Sequence, residues 1–431
     1  MHIALVFPKS TFLSDPMTWP PLGLWYLAAQ LEAQGHTTDF FDLSMDDLPE
    51  DGDFNQLWLS ATAPQMAEIK RIGEITKYWT DTTTVLGGAA PWANPEGCKD
   101  LPYDVIVAGE ADHPDTVRAV EERASFPQAD RMMYVPTSST LDWVLPPVRR
   151  WAKRYTSHMA DRTGRMRRMT SLFTSRGCPM ECAFCESGRH GVIWDRMTRY
   201  EPMDVVEAQI RESAEMGFGG LSYYDDIFIV NRHRTVELLE LHKKYDMVFR
   251  CFMRSDILVK HGGRGYLEAM VDGGLIEAFI GIESADNQIK RNITKGTTIE
   301  EDTAVVEWCR ELGVTSKTSF ILGLPGETRE SMEKTRAWIL KHRPDRVQVD
   351  RLIPFPGTPL TDHPENYDLV YETRPDEDWF FRGRQGSGDS FVSTSSLSVE
   401  EIDDFWSALE EELHREGLMT FSESERAEAV R

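Results

Sequence analysis

Long apolar runs are missing from this chain: nowhere in its 431 residues do about 20 uninterrupted hydrophobic residues, the length of a membrane span, occur together. A soluble protein is expected. The N-terminal MHIALVFPKST is apolar but lacks the basic flank and small-residue cleavage site of a secretory leader, so it reads as a first strand and the expected location is cytoplasmic. Positive charge is also scarce. The 47 Lys and Arg face 71 Asp and Glu, a formal net charge of −24, which argues against nucleic acid or a membrane surface as partner and favours a small-molecule or peptide substrate. Repeats at solenoid periods and long low-complexity segments are absent. Cysteine is sparse but unevenly placed. Cys178, Cys182 and Cys185 fall within eight residues while Cys98, Cys251 and Cys309 are scattered, the pattern of a metal or cluster site in a reducing compartment beside ordinary buried thiols.

What is present is a twofold alternation of strand-like and helix-like segments, and the length predicts two domains plus a tail. In the first block, His2–Phe7, Thr38–Leu43, Leu57–Ala61, Thr83–Leu86 and Asp104–Val107 read as strands, separated by helical stretches at Pro21–Ala33, Gln65–Thr80 and His113–Glu122. That is the pattern of an α/β fold with a Rossmann-like open parallel sheet over residues 1–125, whose ligand-binding connections would be Phe7–Leu22 and Gly87–Pro95. Over 126–168 the periodicity weakens at Pro136, Pro146 and Pro147. Arg149, Arg150, Lys153, Arg154, Arg162, Arg165, Arg167 and Arg168 accumulate there, as on the solvated face of a linker.

A second block over 169–362 carries strand patterns at Ser171–Ser175, Gly220–Tyr224, Val248–Met253, Ile276–Ile282, Thr315–Leu322 and Arg346–Leu352 with helical patterns between them. About six βα units in series predict a partial (β/α)6 barrel, closed or nearly closed, with its chemistry at the C-terminal strand ends. The tail, 363–431, opens its helix with Ser398 and Glu401 spaced as a capping box and places Phe405, Trp406 and Leu409 on one face of Ile402–His414, which suits packing on the barrel. Residues after Leu418 read as frayed.

The chemistry resides in Thr174-Ser-Arg-Gly-Cys178-Pro-Met-Glu-Cys182-Ala-Phe-Cys185, directly after the first barrel strand. Thiolates are the usual ligands of iron–sulfur clusters, and three cysteines for four irons leave one iron open. An open iron can chelate an amine and a carboxylate. The alternative is a non-catalytic zinc scaffold in which His190 completes a Cys₃His set, although zinc pairs usually come from two separate knuckles.

The cysteine loop resembles that of the radical S-adenosylmethionine (SAM) superfamily, and motifs over about Thr170 to Leu360 agree with it in order. The resemblance implies a [4Fe–4S] cluster on Cys178, Cys182 and Cys185 that cleaves SAM to methionine and a 5′-deoxyadenosyl radical, fed by an external one-electron reductant of flavodoxin or ferredoxin type. It implies SAM contacts at Phe184, Tyr224, Asp225, Asp226, Arg254, Glu283, Ser284, Gly323 and Pro354. Alone, Asp225-Asp226 reads equally as a helix cap, Glu283 as an ion-pair partner of Lys295 or Arg291, and the Gly/Pro segments as turns.

The first block resembles the cobalamin-binding domain that precedes the barrel in one radical SAM subgroup, with candidate contacts at Pro8, Ser10, Thr11, Ser60, Thr62, Gln65, Gly87, Gly88, Ala89, Gly109 and Glu110. Its small residues would let backbone approach a flat corrin. The Asp-x-His-x-x-Gly motif that supplies a cobalt-ligating histidine is absent, and Gly109-Glu-Ala-Asp112 stands where Gly-Glu-Gly-Glu is usual. Together the resemblances imply methylation of an unactivated carbon, with rearrangement, cyclisation or oxidation without methyl transfer as the rival outcome. Asp376–Gly388, with its aromatics and arginines, reads as a packed loop or a substrate-pocket lining.

Overall fold

A computed structural model describes residues 1–10, 19–124, 130–155, 157–187, 197–353, 355–371 and 392–418. Thr11, His190, Pro354, the Asp376–Gly388 stretch and the chain after Leu418 lie outside the described residues. Two compact units emerge, one from Met1–Thr156 with Arg199–Gln209, the other chiefly from Ser157–Arg189 and Ile210–Arg431.

The first unit is built on six parallel strands: β1 (His2–Phe7), β2 (Thr37–Asp42), β3 (Gln56–Ser60), β4 (Thr83–Gly87), β5 (Val105–Ala108) and β6 (Met132–Tyr134), ordered β2-β1-β3-β4-β5-β6. Ile3 to Val6 of β1 and Val105 to Ala108 of β5 are buried on both faces, as a sheet covered on both sides by helices requires. The helices are α1 (Leu22–Ala33), α2 (Met66–Thr76), the short α3 (Ala89–Ala93) and α4 (Pro95–Cys98), and α5 (Pro114–Ala124). Strand order reverses between β1 and β3, so the loops leaving these two strands flank a switch point, where open α/β sheets take their ligands. β6 escapes sequence reading because three residues are too few to establish a period.

The second unit is a curled seven-stranded sheet in the order β15-β14-β13-β12-β11-β8-β7. β7 (Ser157–Ala160) and β8 (Met166–Leu172) form an antiparallel hairpin, and parallel neighbours follow: β11 (Gly220–Tyr223), β12 (Val248–Met253), β13 (Leu275–Glu283), β14 (Thr315–Leu322) and β15 (Arg346–Arg351). Among the described residues β7 and β15 remain edges, so this is an open half-barrel and not a closed or nearly closed one. Two-residue strands β9 (Ser175–Arg176) and β10 (Arg199–Tyr200) lie between β8 and β11 in sequence.

The first barrel strand runs Met166–Leu172, earlier than the expected Ser171–Ser175, because the Asp161–Arg165 turn forces a hairpin. Asp161 accepts from the Thr163 and Arg165 backbone N–H groups at 2.9 and 3.1 Å, and Gly164 takes φ +83°. Of the basic residues read as a solvated linker face, Arg150, Arg162 and Arg165 are exposed, and several also hold ion pairs: Arg167 with Asp161 at 2.9 Å, Arg150 with Glu32 at 2.6 Å and Arg154 with Asp46 at 2.5 Å.

Helices α6 (Met203–Glu215), α7 (Arg232–Lys244), α8 (Ser255–Lys260), α9 (Arg264–Asp272), α10 (Asn287–Asn292), α11 (Ile299–Leu312), α12 (Arg329–His342) and the short α13 (Pro359–Asp362) connect the strands. The capping box at Ser398 starts α14 (Val399–Arg415), and the buried Trp406 donates its indole N–H to the Val349 carbonyl at 2.9 Å, docking the helix on β15. A small hairpin, β16 (Leu369–Tyr371) with β17 (Val392–Thr394), was not legible in the sequence. No helix among the described residues is long and apolar enough to cross a membrane.

Candidate functional site

The cysteine loop leaves the end of β8 and is held by the end of β11. Asp225, buried at 1% exposure, accepts from the Thr174 and Ser175 backbone N–H groups at 2.6 and 3.0 Å and from the Thr174 hydroxyl. Asp226 accepts from Gly177 N–H at 3.0 Å, and Gly177 turns the chain with φ +89°. Neither aspartate caps the next helix, whose cap is Asn231, accepting from Arg234 N–H at 3.1 Å. Burial pushes Asp225 up to about 6 against these hydrogen bonds, and it raises Asp226 as well. Neighbouring Tyr224 stacks edge-on against Phe173 at 6.0 Å, and burial pushes its hydroxyl up to about 12.

All three loop cysteines are free; Cys178 and Cys182 are buried and Cys185 is partly so. Burial pushes the Cys178 thiol up to about 11 and Cys185 up to about 12, so a metal that takes them must displace protons. Two donors already face sulfur. Arg254 Nη1 lies 3.3 Å from Cys182 Sγ, and Ser187 N–H donates to Cys185 Sγ at 3.4 Å. A donor set of three thiols with N–H groups and a cation aimed at it fits an anionic iron–sulfur cluster. Among the described residues no group of three His, Cys, Asp or Glu side chains is gathered for a single ion, where zinc would need each sulfur within about 2.3 Å of one centre.

Arg254, Glu283 and Phe184 are brought together by Lys295, which sequence reading placed only as a partner of Glu283. Lys295 pairs with Glu283 at 2.7 Å and sits 5.8 Å over the Phe184 ring. Arg254 is largely committed to protein partners, with Nε and Nη2 each 3.1 Å from Asp256 and Nη2 also donating to the Lys295 carbonyl. Glu283 ends β13 at φ +68°, a left-handed backbone that a glutamate adopts only when its surroundings impose it. Beside it Ser284 is fully buried and its hydroxyl accepts from Asp286 N–H at 3.2 Å.

At the end of β14, Gly323 takes φ +82°, and its N–H and that of Leu324 donate to Glu327 Oε2 at 2.7 and 3.2 Å. Glu327 is 0% exposed, its Oε1 has no partner among the described residues, and burial pushes its carboxyl up to about 8. Folded chains therefore hold this proton at neutral pH while unfolded chains release it near 4.5, so stability falls as pH rises from about 4.5 to about 8. Glu327→Gln keeps the acceptor and removes the titration. Its stability relative to wild type is expected to rise between pH 5 and pH 8, as read by urea midpoints at each pH; a constant difference would show that Glu327 does not titrate there.

In the first unit, Gln65 gathers several candidate contacts at the switch point. Its Nε2 donates to the Pro8 carbonyl at 2.6 Å and the Ser10 hydroxyl at 3.1 Å, while its Oε1 accepts from Thr62 N–H at 2.9 Å. Gly88 packs where no side chain fits: at φ +95°, a Cβ would lie 2.7 Å from Ser60 Oγ and Ala61 N. Gly87 ends β4 and Ala89 opens α3 on either side of it. Gly109 is equally constrained, a Cβ there meeting the Val135 carbonyl at 2.5 Å. Glu110 is drawn elsewhere. Its buried carboxylate pairs with Arg199 at 2.8 Å and accepts from Ser138 N–H at 3.1 Å.

Comparison with known proteins bears on both units. Residues 172–339 match the family model of the radical SAM superfamily. That stretch is a radical SAM domain. Residues 10–118 of this radical SAM enzyme match the B12 binding domain model, so cobalamin joins the [4Fe–4S] cluster and SAM as a cofactor. The enzyme is 26% identical over 390 residues to an uncharacterised methyltransferase of Pyrococcus horikoshii, covering 84% of this chain and 83% of that one. It is 26% identical over 378 residues to the anaerobic magnesium-protoporphyrin IX monomethyl ester cyclase of Rubrivivax gelatinosus, spanning 79% of this chain and 66% of the cyclase. The structure of the radical SAM methyltransferase TsrM from Kitasatospora setae, solved with cobalamin and a [4Fe–4S] cluster, superposes at a TM-score of 0.70 with 14% identity, covering 98% of this chain and 91% of that one. At that identity the likeness shows the fold.

Proposed function

We propose that the chain is a cobalamin-dependent radical SAM enzyme that methylates an unactivated carbon of a small-molecule or peptide substrate in the cytoplasm, drawing its electron from a flavodoxin- or ferredoxin-type reductant. The observation that carries this reading is a B12 binding domain match ahead of a radical SAM match in one chain, joined by similarity to methyltransferases. When bound, the cofactors supply the radical that abstracts hydrogen and the methyl group that replaces it.

The chain's own residues hold and orient. Cys178, Cys182 and Cys185 would carry the cluster, and Asp225 and Asp226 fix the loop that presents them. Phe184, Glu283 and Lys295 would lie beside SAM, while the turn at Gly323 would edge it, and Pro354, outside the described residues, is a further candidate. Tyr224, Ser284 and Arg254 complete that set. Pro8, Ser10, Thr62, Gln65 and the Gly87–Ala89 step would meet the corrin, with Thr11, Ser60, Gly109 and Glu110 as further candidates. The methyl-transfer reading is tested by anaerobic turnover with SAM labelled in its methyl group. Label in the product supports it, and label found only in methionine eliminates it. Oxidative cyclisation without methyl transfer is the second reading, favoured by the similarity to the Rubrivivax cyclase.

A further inference from the structure

The half-barrel has two faces with different jobs. On β14 the side chains of Ser316, Thr318, Phe320 and Leu322 are buried, and Phe320 meets Trp338 of α12 at 5.8 Å, so this face carries the helices. Thr315, Lys317, Ser319 and Ile321 alternate onto the other, concave face and are only half-buried. Strand register aligns one row straight across that face: Phe252 pairs with Phe279, Phe279 with Lys317, and Lys317 with Arg346.

The row combines an apolar half with an unspent cation. Phe252 and Phe279 pack at 4.9 Å between centroids, and the Lys317 ammonium lies 4.7 Å over the Phe279 ring. Among the described residues Lys317 makes no hydrogen bond and no ion pair. Its potential counter-ions are taken: Glu277 is clamped between Arg346 at 2.9 Å and Arg250 at 3.5 Å, and Asp350 accepts from Gln348 at 2.6 Å. Burial lowers the ammonium's affinity for its proton, a penalty that an anion docking there would offset.

The next row toward the C-terminal strand ends is Gly281, Ser319 and Gln348, about 6.6 Å further along the strands. Gly281 and Ser319 have little or no side chain. Over Gly281 fold the Glu283 carboxylate and Lys295 ammonium, which a Cβ at that position would meet at 2.5 and 2.9 Å. The cation–aromatic row thus lies one step below the groups assigned to SAM, with low relief between them.

We infer that Phe252, Phe279 and Lys317 form the floor of the substrate site, and that the substrate carries an anionic oxygen group, carboxylate or phosphate, bound by Lys317, joined to an apolar or aromatic portion resting on the two phenylalanines. This rests on the radical SAM reading of the strand ends above it, and it adds the class of substrate. A lysine suits either anion because it acts as a compact point charge without the fixed fork of arginine.

The test uses the full chain with its cluster reconstituted and three fluorinated probes followed by fluorine NMR: 3-(4-fluorophenyl)propionate, 2-(4-fluorophenyl)ethyl phosphate and the neutral 3-(4-fluorophenyl)propionamide. At least one anion is expected to bind wild type about tenfold more tightly than the amide, and to lose that advantage in Lys317→Met but not in Lys341→Met, which alters an exposed lysine on α12. Lys317 has no hydrogen bond to lose, so Lys317→Met is expected to fold, with Lys317→Gln as the second variant if it does not. Which anion responds distinguishes carboxylate from phosphate. Equal binding of the amide, unchanged anion binding in Lys317→Met, or no anion binding to wild type in the millimolar range overturns the inference. Formation of 5′-deoxyadenosine by wild type is measured in the same samples. Its absence alongside Lys317-dependent anion binding would sink the radical reading alone, while its presence without such binding would sink only this site.

Discussion

Cys182→Ala is expected to abolish the iron–sulfur absorption band and to lower 5′-deoxyadenosine formation at least about a thousandfold, while leaving the secondary structure intact. Each of three irons needs its own thiolate, and a loop with two cannot hold a four-iron cluster at site-differentiated geometry. Cys182 is the most informative of the three because it is buried and faces Arg254 Nη1 at 3.3 Å. The fold should survive, since Ala183 N–H still donates to the Ile293 carbonyl at 2.9 Å and the loop is still held by Asp225 and Asp226. Iron content, circular dichroism and product quantification check the three parts separately. A Cys182→Ala protein that retains four irons and forms product would remove the cysteine loop from the chemistry altogether.

Much of this arrangement was legible because it is local. Three cysteines in eight residues announce their chemistry without a fold, and alternating β and α periods place them at a strand end. The parallel strands β11 to β15 fall where the patterns predict them, and α11 (Ile299–Leu312) matches residue for residue because Thr298 and Glu301 cap it while Gly313 ends it at φ +68°. What escaped is contact at a distance. Nothing in the neighbourhood of Asp225 shows that its carboxylate serves Thr174, 51 residues earlier, and nothing near Gln65 shows that it reaches Pro8, 57 residues away. Nothing near Glu110 shows that its carboxylate also pairs with Arg199, 89 residues on. Lys317 is invisible for another reason: one lysine among the polar residues that open Thr315–Leu322 carries no signal of its own, and only the register with Phe279 and Arg346 shows which face it occupies.

Lys290 carries the second large effect. Its ammonium is 1% exposed and ion-paired with Asp302, itself 0% exposed, and it also donates to the Ile282 carbonyl at 2.8 Å and the Thr297 hydroxyl at 3.0 Å. Lys290→Met strands the Asp302 carboxylate in the interior and is expected to cost about 3–5 kcal/mol of stability, because the loss is that of an uncompensated buried charge and not of one contact. Adding Asp302→Leu removes the orphan and is expected to restore most of that loss, as read by urea unfolding with tryptophan fluorescence, Trp308 lying in the same helix as Asp302. Activity should not follow stability back. The Ile282 carbonyl that Lys290 pins immediately precedes Glu283, whose φ of +68° and register shift against β14 need an anchor. With the anchor gone the backbone can relax toward an ordinary strand and carry Glu283 and Lys295 with it. A displacement of about 1 Å at a reacting centre costs about a hundredfold, so the stable double variant is expected to form 5′-deoxyadenosine that much more slowly. Full activity in the double variant would show that the strained turn holds without its lysine and that the buried pair serves folding alone.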